Sequence, residues 1–389
     1  MHLALIINSL GIGGAERVLV RLAHEWADRG YQISFITFFQ ENNFCYQLNT
    51  KHNNIKLINL GEKKPKANTN FFVQIFIVAK RIFLLKKLFN KLQPNLLISF
   101  LFKVNISVLL ANIWSKIPII VSERIDPSKH VIPAFYKKLR LMSYRLASNI
   151  IVQTKAIKDY FPNYLQKKIF IIPNWVKAPQ TKKQLDINNS ITTSISKIIA
   201  IGRLDQQKNH QLLIRAFAKL ADNYPNLTLT IYGEGILRDF LQELIMSLKL
   251  QDRIFLPGIT MDVEATLAKA DLFVLPSIYE GFSNALCEAM AVGLPVIAAK
   301  CSGNVDIIEH RKNGLLFNIN NTEELVECIE FVINNPEHSN KLAINAQNII
   351  NQFNELNILK LWDQALENVL RENNSYVNMR HLRRDGREA

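Results

Sequence analysis

The chain has 389 residues, 48% of them hydrophobic and 21% charged, with 47 Lys and Arg against 33 Asp and Glu for a formal charge of +14. That length suits two domains that each bury a core, and that balance excludes a disordered chain. Four cysteines (Cys45, Cys287, Cys301, Cys328) show neither C-x-x-C spacing nor a histidine at zinc spacing, so they read as reduced thiols of an intracellular protein. The charge is uneven. Residues 1–176 hold 25 basic and 8 acidic side chains, or +17, which leaves 22 and 25, or −3, for the rest. Whatever the basic excess attracts is expected to bind the first half.

The opening MHLALIINSL lacks a basic leader region and reads as a strand, Leu3 to Leu10, rather than a signal peptide. No window reaches the ~18 uncharged apolar residues of a membrane span. The expectation is a protein kept on the cytoplasmic side. Gly11-Ile12-Gly13-Gly14 forms a tight loop, Ala15 to Arg29 a helix, and Ile33 to Phe39 the next strand, which together open a doubly wound sheet. G-x-G-G is not G-x-G-x-x-G, and no acidic residue closes the second strand, so a nicotinamide or flavin site is not expected.

Phe71 to Gln93 reads as a helix whose lysines Lys80, Lys87 and Lys91 fall in one stripe, flanked by Lys86 and Asn90, with Ile, Leu, Phe and Val around most of the remainder. Such a helix suits an anionic lipid surface or the pyrophosphate of a membrane-borne acceptor. It also fits a largely buried helix with one solvated basic edge. Lys137, Lys138, Arg140 and Arg145 form a second basic cluster. Leu96–Phe102 and Ile117–Val121 are further strands, the second running into Ser122-Glu123-Arg124-Ile125-Asp126-Pro127 at the edge where sites in parallel sheets lie. Asn149–Gln153 and Ile169–Ile172 complete the first domain, residues 1–176, and the polar stretch 177–196 reads as a linker.

The α/β rhythm restarts at Lys197–Ile201, followed by Gly202-Arg203-Leu204-Asp205-Gln206-Gln207-Lys208 and a helix from Asn209 to Asp222. A basic pair at a strand-to-helix crossover can clamp a diphosphate. Leu227–Tyr232 with Gly233-Glu234-Gly235, and Arg253–Leu256 with Pro257-Gly258-Ile259, are the next strands and their loops. Leu272–Leu275 is a buried strand, and Ser277–Gly281 a loop. Ser283 or Asn284 is placed to cap a helix through Ala291, and Gly293-Leu294-Pro295 ends it before the strand Val296–Ala299. A strand, a loop and a helix N-terminus gather backbone N–H groups at one point, which suits a phosphate. Glu280 and Glu288, seven residues apart, bracket that point and can both face the hydroxyls of one ligand. Taken singly, they read as a loop charge and a solvated helix residue. Gly314–Phe317 is the last strand signal, Thr322 caps the helix Glu323–Ile333, and Leu342–Leu370 is helical with a break near Asn354. The second domain spans 197–352, a helix over 353–372 crosses back to the first domain, and 373–389 is polar enough to be disordered.

Glu280 to Glu288, E-G-F-S-N-A-L-C-E, resembles the E-x7-E motif of the retaining family 4 glycosyltransferases. The likeness covers most of the chain: a G-G-A-E-R segment at Gly13-Gly14, an I-P-N-x-V turn at Pro173-Asn174-Trp175-Val176 with Trp175 where glycine is usual, and G-R-L-x-x-x-K at Gly202–Lys208. The resemblance implies an α/β fold of GT-B type, two Rossmann-like domains facing across a cleft. It implies transfer of a hexose or N-acetylhexosamine from a nucleotide-diphosphate sugar, with retention of configuration. Gly13 and Gly14 would approach the donor diphosphate and the acceptor. Arg203 and Lys208 would hold the distal phosphate, Gly233 would lie beside the nucleotide, and the backbone of Gly258 and Ile259 would read the base. Gly281, Phe282, Ser283 and Asn284 would receive the phosphates, Glu280 the sugar and Glu288 the ribose. Arg124 stands where some members carry a histidine against the transferred sugar, so Arg124 or Asp126 is assigned that side.

No two aspartates stand two positions apart, so a D-x-D metal site is not expected, and Arg203, Lys208 and the helix N-terminus are left to stabilise the leaving group without a metal or other cofactor. The basic first half fits a polyprenyl-diphosphate-linked saccharide acceptor, in the surface polysaccharide or lipid-linked glycan assembly that the whole-chain pattern resembles. The expected location is the inner face of the plasma membrane. Alternatives are a soluble acceptor, or a non-catalytic nucleotide-sugar-binding protein. Nucleic acid is not expected, since no aromatic residues interleave with Lys and Arg on a sheet and no helix-turn-helix is evident.

Overall fold

A computed structural model describes residues 1–11, 13–39, 48, 53–62, 71–129, 132–180 and 195–384. The chain divides into two units, Met1–Ile172 with Leu359–Ala389, and Pro173–Ile358. Most of the expected linker, residues 181–194, lies outside the described residues, as does Cys45.

The first unit is built on a parallel sheet ordered β3-β2-β1-β4-β5-β6-β7. Its strands are β1 (His2–Ile7), β2 (Gln32–Phe39), β3 (Ile55–Glu62), β4 (Leu96–Phe100), β5 (Ile119–Ser122), β6 (Asn149–Val152) and β7 (Ile169–Ile171). β1, β4, β5 and β6 are short apolar runs because both faces of a parallel sheet are covered by helices, and every residue from Leu3 to Ile7 is fully buried. An edge strand and a helix are among the elements not expected. β3 is an edge strand of mixed composition, IKLINLGE, whose burial is only partial. Phe102–Ala111 is a helix, so the apolar run that begins at Leu96 is a strand only to Phe100, and Leu101 (φ 76°) turns it into the helix. A short apolar run does not by itself separate a buried strand from a buried helix.

The second unit carries the order β10-β9-β8-β11-β12-β13, again wholly parallel. Its strands are β8 (Lys197–Ile201), β9 (Thr228–Tyr232), β10 (Ile254–Gly258), β11 (Leu272–Leu275), β12 (Val296–Ala299) and β13 (Leu315–Phe317). In both sheets the order reverses once, beside β1 and β4 and beside β8 and β11, which is the doubly wound arrangement. The helix expected from Glu323 begins at Thr322, and its cap is Asn321, whose side chain accepts from the Glu324 N–H at 3.2 Å. The break near Asn354 is present, between Ile349–Gln352 and the last helix, Glu355–Arg384.

That last helix runs to Arg384, through the segment expected to be disordered from Asn373, because no glycine or proline interrupts it. From Leu359 onward it belongs to the first unit. Trp362 is fully buried there, stacked on Phe100 (centroids 5.7 Å apart) and edge-on to Trp26 (6.5 Å). Asp363 accepts from Trp26 Nε1 at 3.1 Å and from Arg29 Nη1 at 2.7 Å, and Asn149 Nδ2 donates to the Ala365 carbonyl at 3.1 Å.

In the second unit His210, the first residue of the helix His210–Leu220, is 1% exposed and lies against the backbone of Gly202 and Arg203. Burial, with the nearby Lys208 ammonium, brings its imidazole down to about 4.

Two outcomes follow for stability. Trp362→Ala is expected to destabilise the first unit by about 3 kcal/mol, by loss of a fully buried aromatic, and urea unfolding followed by fluorescence reads it. The unfolded chain protonates His210 near 6.5, whereas the folded chain does so only near 4, so the unfolded state binds the extra proton between those values. Stability contributed by neutral His210 is therefore complete above about 6.5 and is lost as pH falls toward 4, by roughly 3 kcal/mol. A His210→Leu variant should lack that part of the acid slope in unfolding measurements from pH 7 to 4.

Candidate donor site and acceptor-side residues

Arg203, Lys208 and residues 280–284, the centre of the predicted donor set, lie on two loops that leave β8 and β11, the neighbouring strands at which the second sheet reverses its order. Ligands of doubly wound sheets bind at that point, beyond the carboxyl ends of the strands. The β8 loop is drawn into shape by local bonds. Asp205 Oδ1 accepts from the Lys208 N–H at 3.1 Å, the Leu204 N–H donates to the Glu234 carbonyl at 3.0 Å, and Asn209 turns the chain with φ 52°.

The two loops meet through one ion pair. Lys208 Nζ lies 2.5 Å from Glu280 Oε1, with the side chains 15% and 8% exposed. Glu280 is thus a buried carboxylate and not a solvated loop charge. Arg203 is placed differently: its guanidinium is 68% exposed, 3.0 Å from Gln207 Oε1 and 3.3 Å from Asp205 Oδ2. Of the two expected phosphate-binding cations, one is therefore packed inside the site and the other stands at its margin.

Gln207 was not singled out by sequence, since it occupies an unspecified position of G-R-L-x-x-x-K. Its side-chain Nε2 donates to the Tyr279 carbonyl at 2.9 Å, while its own carbonyl accepts from the Ile278 N–H at 2.8 Å. A second unexpected element is the turn after β12. A side-chain carbon on Gly303 would come within 2.8 Å of the Glu280 backbone carbonyl and Cβ, so only glycine lets this turn pass under the carboxylate. Ser302 Oγ donates to the same carbonyl at 3.4 Å. Burial, with the nearby Glu280 charge, pushes the Cys301 thiol up to about 12. Cys287, Cys301 and Cys328 are free thiols.

Ser283 is the N-cap of the helix Asn284–Val292, and Gly293 closes it with φ 95°, as the sequence indicates. The Ser283 hydroxyl does not cap, however. It donates to Asn304 Oδ1 at 2.5 Å, while the Asn284 side chain accepts from Asn174 Nδ2 at 2.8 Å. The first amides of the helix are left without a side-chain partner from either residue. Gly281, Phe282 and Ser283 are buried around this start, with Phe282 edge-on to Phe353 at 5.1 Å, and Glu288 is half-buried one turn in. Gly233 must be glycine because a Cβ would fall 1.9 Å from the Gly202 carbonyl, so it joins the β8 and β9 loops. Gly258 (φ 92°) faces Glu234, and Ile259 is exposed beside it.

In the first unit, Gly13 caps the helix Gly14–Asp28, and the Glu16 carboxylate occupies the place a Gly13 side chain would take. Arg124 is buried, its guanidinium 4.2 Å above the Phe100 ring and 5.5 Å from Trp362, and burial lowers it to about 9. Asp126, also buried, shapes its own loop by accepting from the Ser128 N–H (2.8 Å) and hydroxyl (2.6 Å). Between them and β5 stands a buried polar set that sequence did not reveal. The Tyr144 hydroxyl donates to Glu123 Oε2 at 2.8 Å, Arg140 Nη1 is 3.8 Å from the same oxygen, and Asn105 joins Tyr144, Ser99 and the Ser122 carbonyl. Burial raises the Glu123 carboxyl.

The helix Phe71–Leu92 packs inward through Arg81, Leu85 and Phe89, with Arg81 bonded to Glu62 at 2.7 Å and stacked on Phe38 at 4.5 Å. Lys80, Lys87 and Lys91 all face outward. They share that side with Phe76 and Phe83, which are 70% and 68% exposed. Eleven residues of helix separate Lys80 from Lys91, about 16 Å, so these lysines form a surface stripe and not one phosphate pocket. Among the described residues no helix is long and apolar enough to cross a membrane.

Comparison with known proteins agrees with this fold. Two family models match, Glycosyltransferase Family 4 over residues 12–178 and Glycosyl transferases group 1 over residues 182–349. An uncharacterized glycosyltransferase of Methanocaldococcus jannaschii is 30% identical over 296 residues, 70% of each chain. A Campylobacter jejuni α-1,4-N-acetyl-D-galactosaminyltransferase, named for a GalNAc-containing diphospho-undecaprenol acceptor, is 27% identical over 374 residues, 95% of this chain and 99% of that one. Among solved structures, Anabaena HepE in complex with UDP and glucose superposes with a TM-score of 0.75 at 22% identity, covering 94% and 98% of the two chains. The chain is a glycosyltransferase of family 4, with the two doubly wound domains of the GT-B fold.

Proposed function

We propose that this enzyme moves a hexose or N-acetylhexosamine, with retention, from a nucleoside-diphosphate sugar to a polyprenyl-diphosphate-linked saccharide in the assembly of a surface glycan. The observation that carries the donor half is the pairing of the buried Glu280 carboxylate with the partly buried Lys208 ammonium beside a helix start with no side-chain cap. A departing nucleoside diphosphate gathers negative charge on its bridging oxygen, and fixed cations and amide dipoles in a site screened from water meet that charge without reorganising. Lys208 and the amides from Ser283 onward take the phosphates, and Arg203 swings from Asp205 and Gln207 to the outer phosphate. Glu280 holds the sugar hydroxyls, Glu288 the ribose, and the Gly233 and Gly258–Ile259 backbone the base. These groups supply the leaving-group stabilisation that a divalent metal supplies elsewhere.

The acceptor half is supported by relatives and by surface chemistry. Two Campylobacter jejuni relatives and one from Escherichia coli are named for undecaprenyl-diphosphate acceptors. The sequence from Lys63 to Ser122 contains no aspartate or glutamate. Exposed Phe76 and Phe83 stand among Lys80, Lys87 and Lys91, and Lys86 lies 4.2 Å from the ring of exposed Trp114. On the helix Ala134–Ser143, Phe135 and Met142 are exposed near Lys138. Aromatic rings set among lysines suit an anionic bilayer surface, where each lysine contributes ~1 kcal/mol. Arg124 and Asp126, both buried, orient the sugar side from behind rather than from solvent.

Arg203→Ala and Lys208→Ala should each lower kcat/KM about a hundredfold, ~3 kcal/mol of barrier, measured with labelled donor and a lipid-linked acceptor. Chelator should leave turnover unchanged; strong inhibition would show that a metal does this work. Flotation with anionic liposomes should retain the wild-type chain and lose the triple variant Lys80→Glu, Lys87→Glu, Lys91→Glu. Equal flotation of both would remove the membrane reading, and turnover on a free sugar without any flotation would favour a soluble acceptor.

A further inference from the structure

We propose that Asn304 is a positioning residue for the donor: by holding the Ser283 hydroxyl, it keeps the amides that open the helix Asn284–Val292 available to the phosphates of a nucleoside diphosphate. This rests on the reading that the donor diphosphate binds at that helix start.

A polar N-cap side chain ordinarily turns onto an amide two or three residues ahead, because the first amides of a helix have no partner within it. Four caps among the described residues do so, one of them Asn354, which accepts from the Leu356 and Asn357 N–H groups. Thr154 accepts from the Ile157 N–H, Asp262 from the Ala265 N–H and Asn321 from the Glu324 N–H. Ser283 occupies the same position, and its hydroxyl is instead committed to Asn304 Oδ1 at 2.5 Å. Asn304 is fully buried and held rigidly. Its Nδ2 donates to the Ala299 carbonyl at 2.8 Å, and its own carbonyl accepts from the Ile307 and Ile308 N–H groups at 3.1 and 2.8 Å. The other polar side chain at the helix start, Asn284, is engaged by Asn174.

Asn304 belongs to the same turn whose Gly303 lies under Glu280. One segment after β12 therefore places the carboxylate and withdraws the cap. If the hydroxyl were released, it would close on the amides, and an incoming phosphate would first have to displace it.

The test is calorimetric titration of UDP, GDP and ADP into the wild-type chain, followed by the tightest of them into Asn304→Ala and the double variant Asn304→Ala/Ser283→Ala. Asn304→Ala should bind about fivefold more weakly, the cost of displacing one N-cap bond. Removing the hydroxyl from that variant should then restore about threefold or more, although it deletes a polar group and repairs nothing structural. Loss without recovery in the double variant, with both variants folded by circular dichroism and thermal melting, would show that Asn304 only supports the turn and would overturn the proposal. So would undiminished binding by Asn304→Ala. If Asn304→Ala does not fold, Asn304→Leu, which fills the same volume, replaces it in both comparisons. A wild-type chain that binds none of the three nucleotides would instead overturn the donor-site reading, and this inference with it.

Discussion

An ammonium and a carboxylate removed from water together impose a constraint that organises the donor side of this enzyme. Lys208 and Glu280 come from loops more than seventy residues apart, and the buried carboxylate is tolerable chiefly because the partly buried ammonium is there. A ligand that draws the ammonium onto its phosphates strips the carboxylate of its partner, so the same ligand must bring hydroxyls to replace it. A nucleotide-sugar does both at once. A nucleoside diphosphate alone does only the first. On the proposed donor reading, the pair ties recognition of the sugar to recognition of the phosphates; Gln207 bonds the two loops to each other, and the Gly303 turn packs against Glu280 from the other side.

Much of this was legible in the sequence where the signal is local. The apolar runs of β1, β8, β11 and β12, the glycine at the end of Asn284–Val292, and the two loops at the sheet reversal follow from residues within a few positions of one another. What remained hidden depends on partners far along the chain. Nothing near Asn304 announces that it takes the hydroxyl of Ser283, and nothing near Asn174 announces Asn284. Arg124 reads as a charge at a strand end, where solvent is the ordinary neighbour. Its stacking on Phe100 and Trp362 requires a helix that begins more than two hundred residues later. β3 was missed for a different reason: an edge strand need be apolar on only part of one face, and IKLINLGE barely alternates.

The basic helix of the first unit shows what a periodicity argument can and cannot carry. A helical wheel places Lys80, Lys87 and Lys91 together, but an apolar majority around the rest of the circumference does not say which apolar residues meet the protein. The buried set is Leu85 and Phe89, with Arg81 neutralised by Glu62, whereas Phe76 and Phe83 emerge on the lysine side. The interior of the same unit is unusually polar near the end of β5, where Tyr144 bonds both Glu123 and Asn105 and Arg140 stands beside the Glu123 carboxylate. Networks of this kind fix one arrangement of a core, since a partly satisfied alternative would strand a charge.

The helix that ends the described chain is an integral part of the first unit, and this has a bearing on biosynthesis. Phe100 and Trp26 are made early, but the indole that covers them, Trp362, leaves the ribosome only after the whole second unit has been translated. A domain emerging first would ordinarily fold first. Here the first unit must wait with an aromatic surface uncovered, and a segment translated after the second unit supplies the piece that completes it.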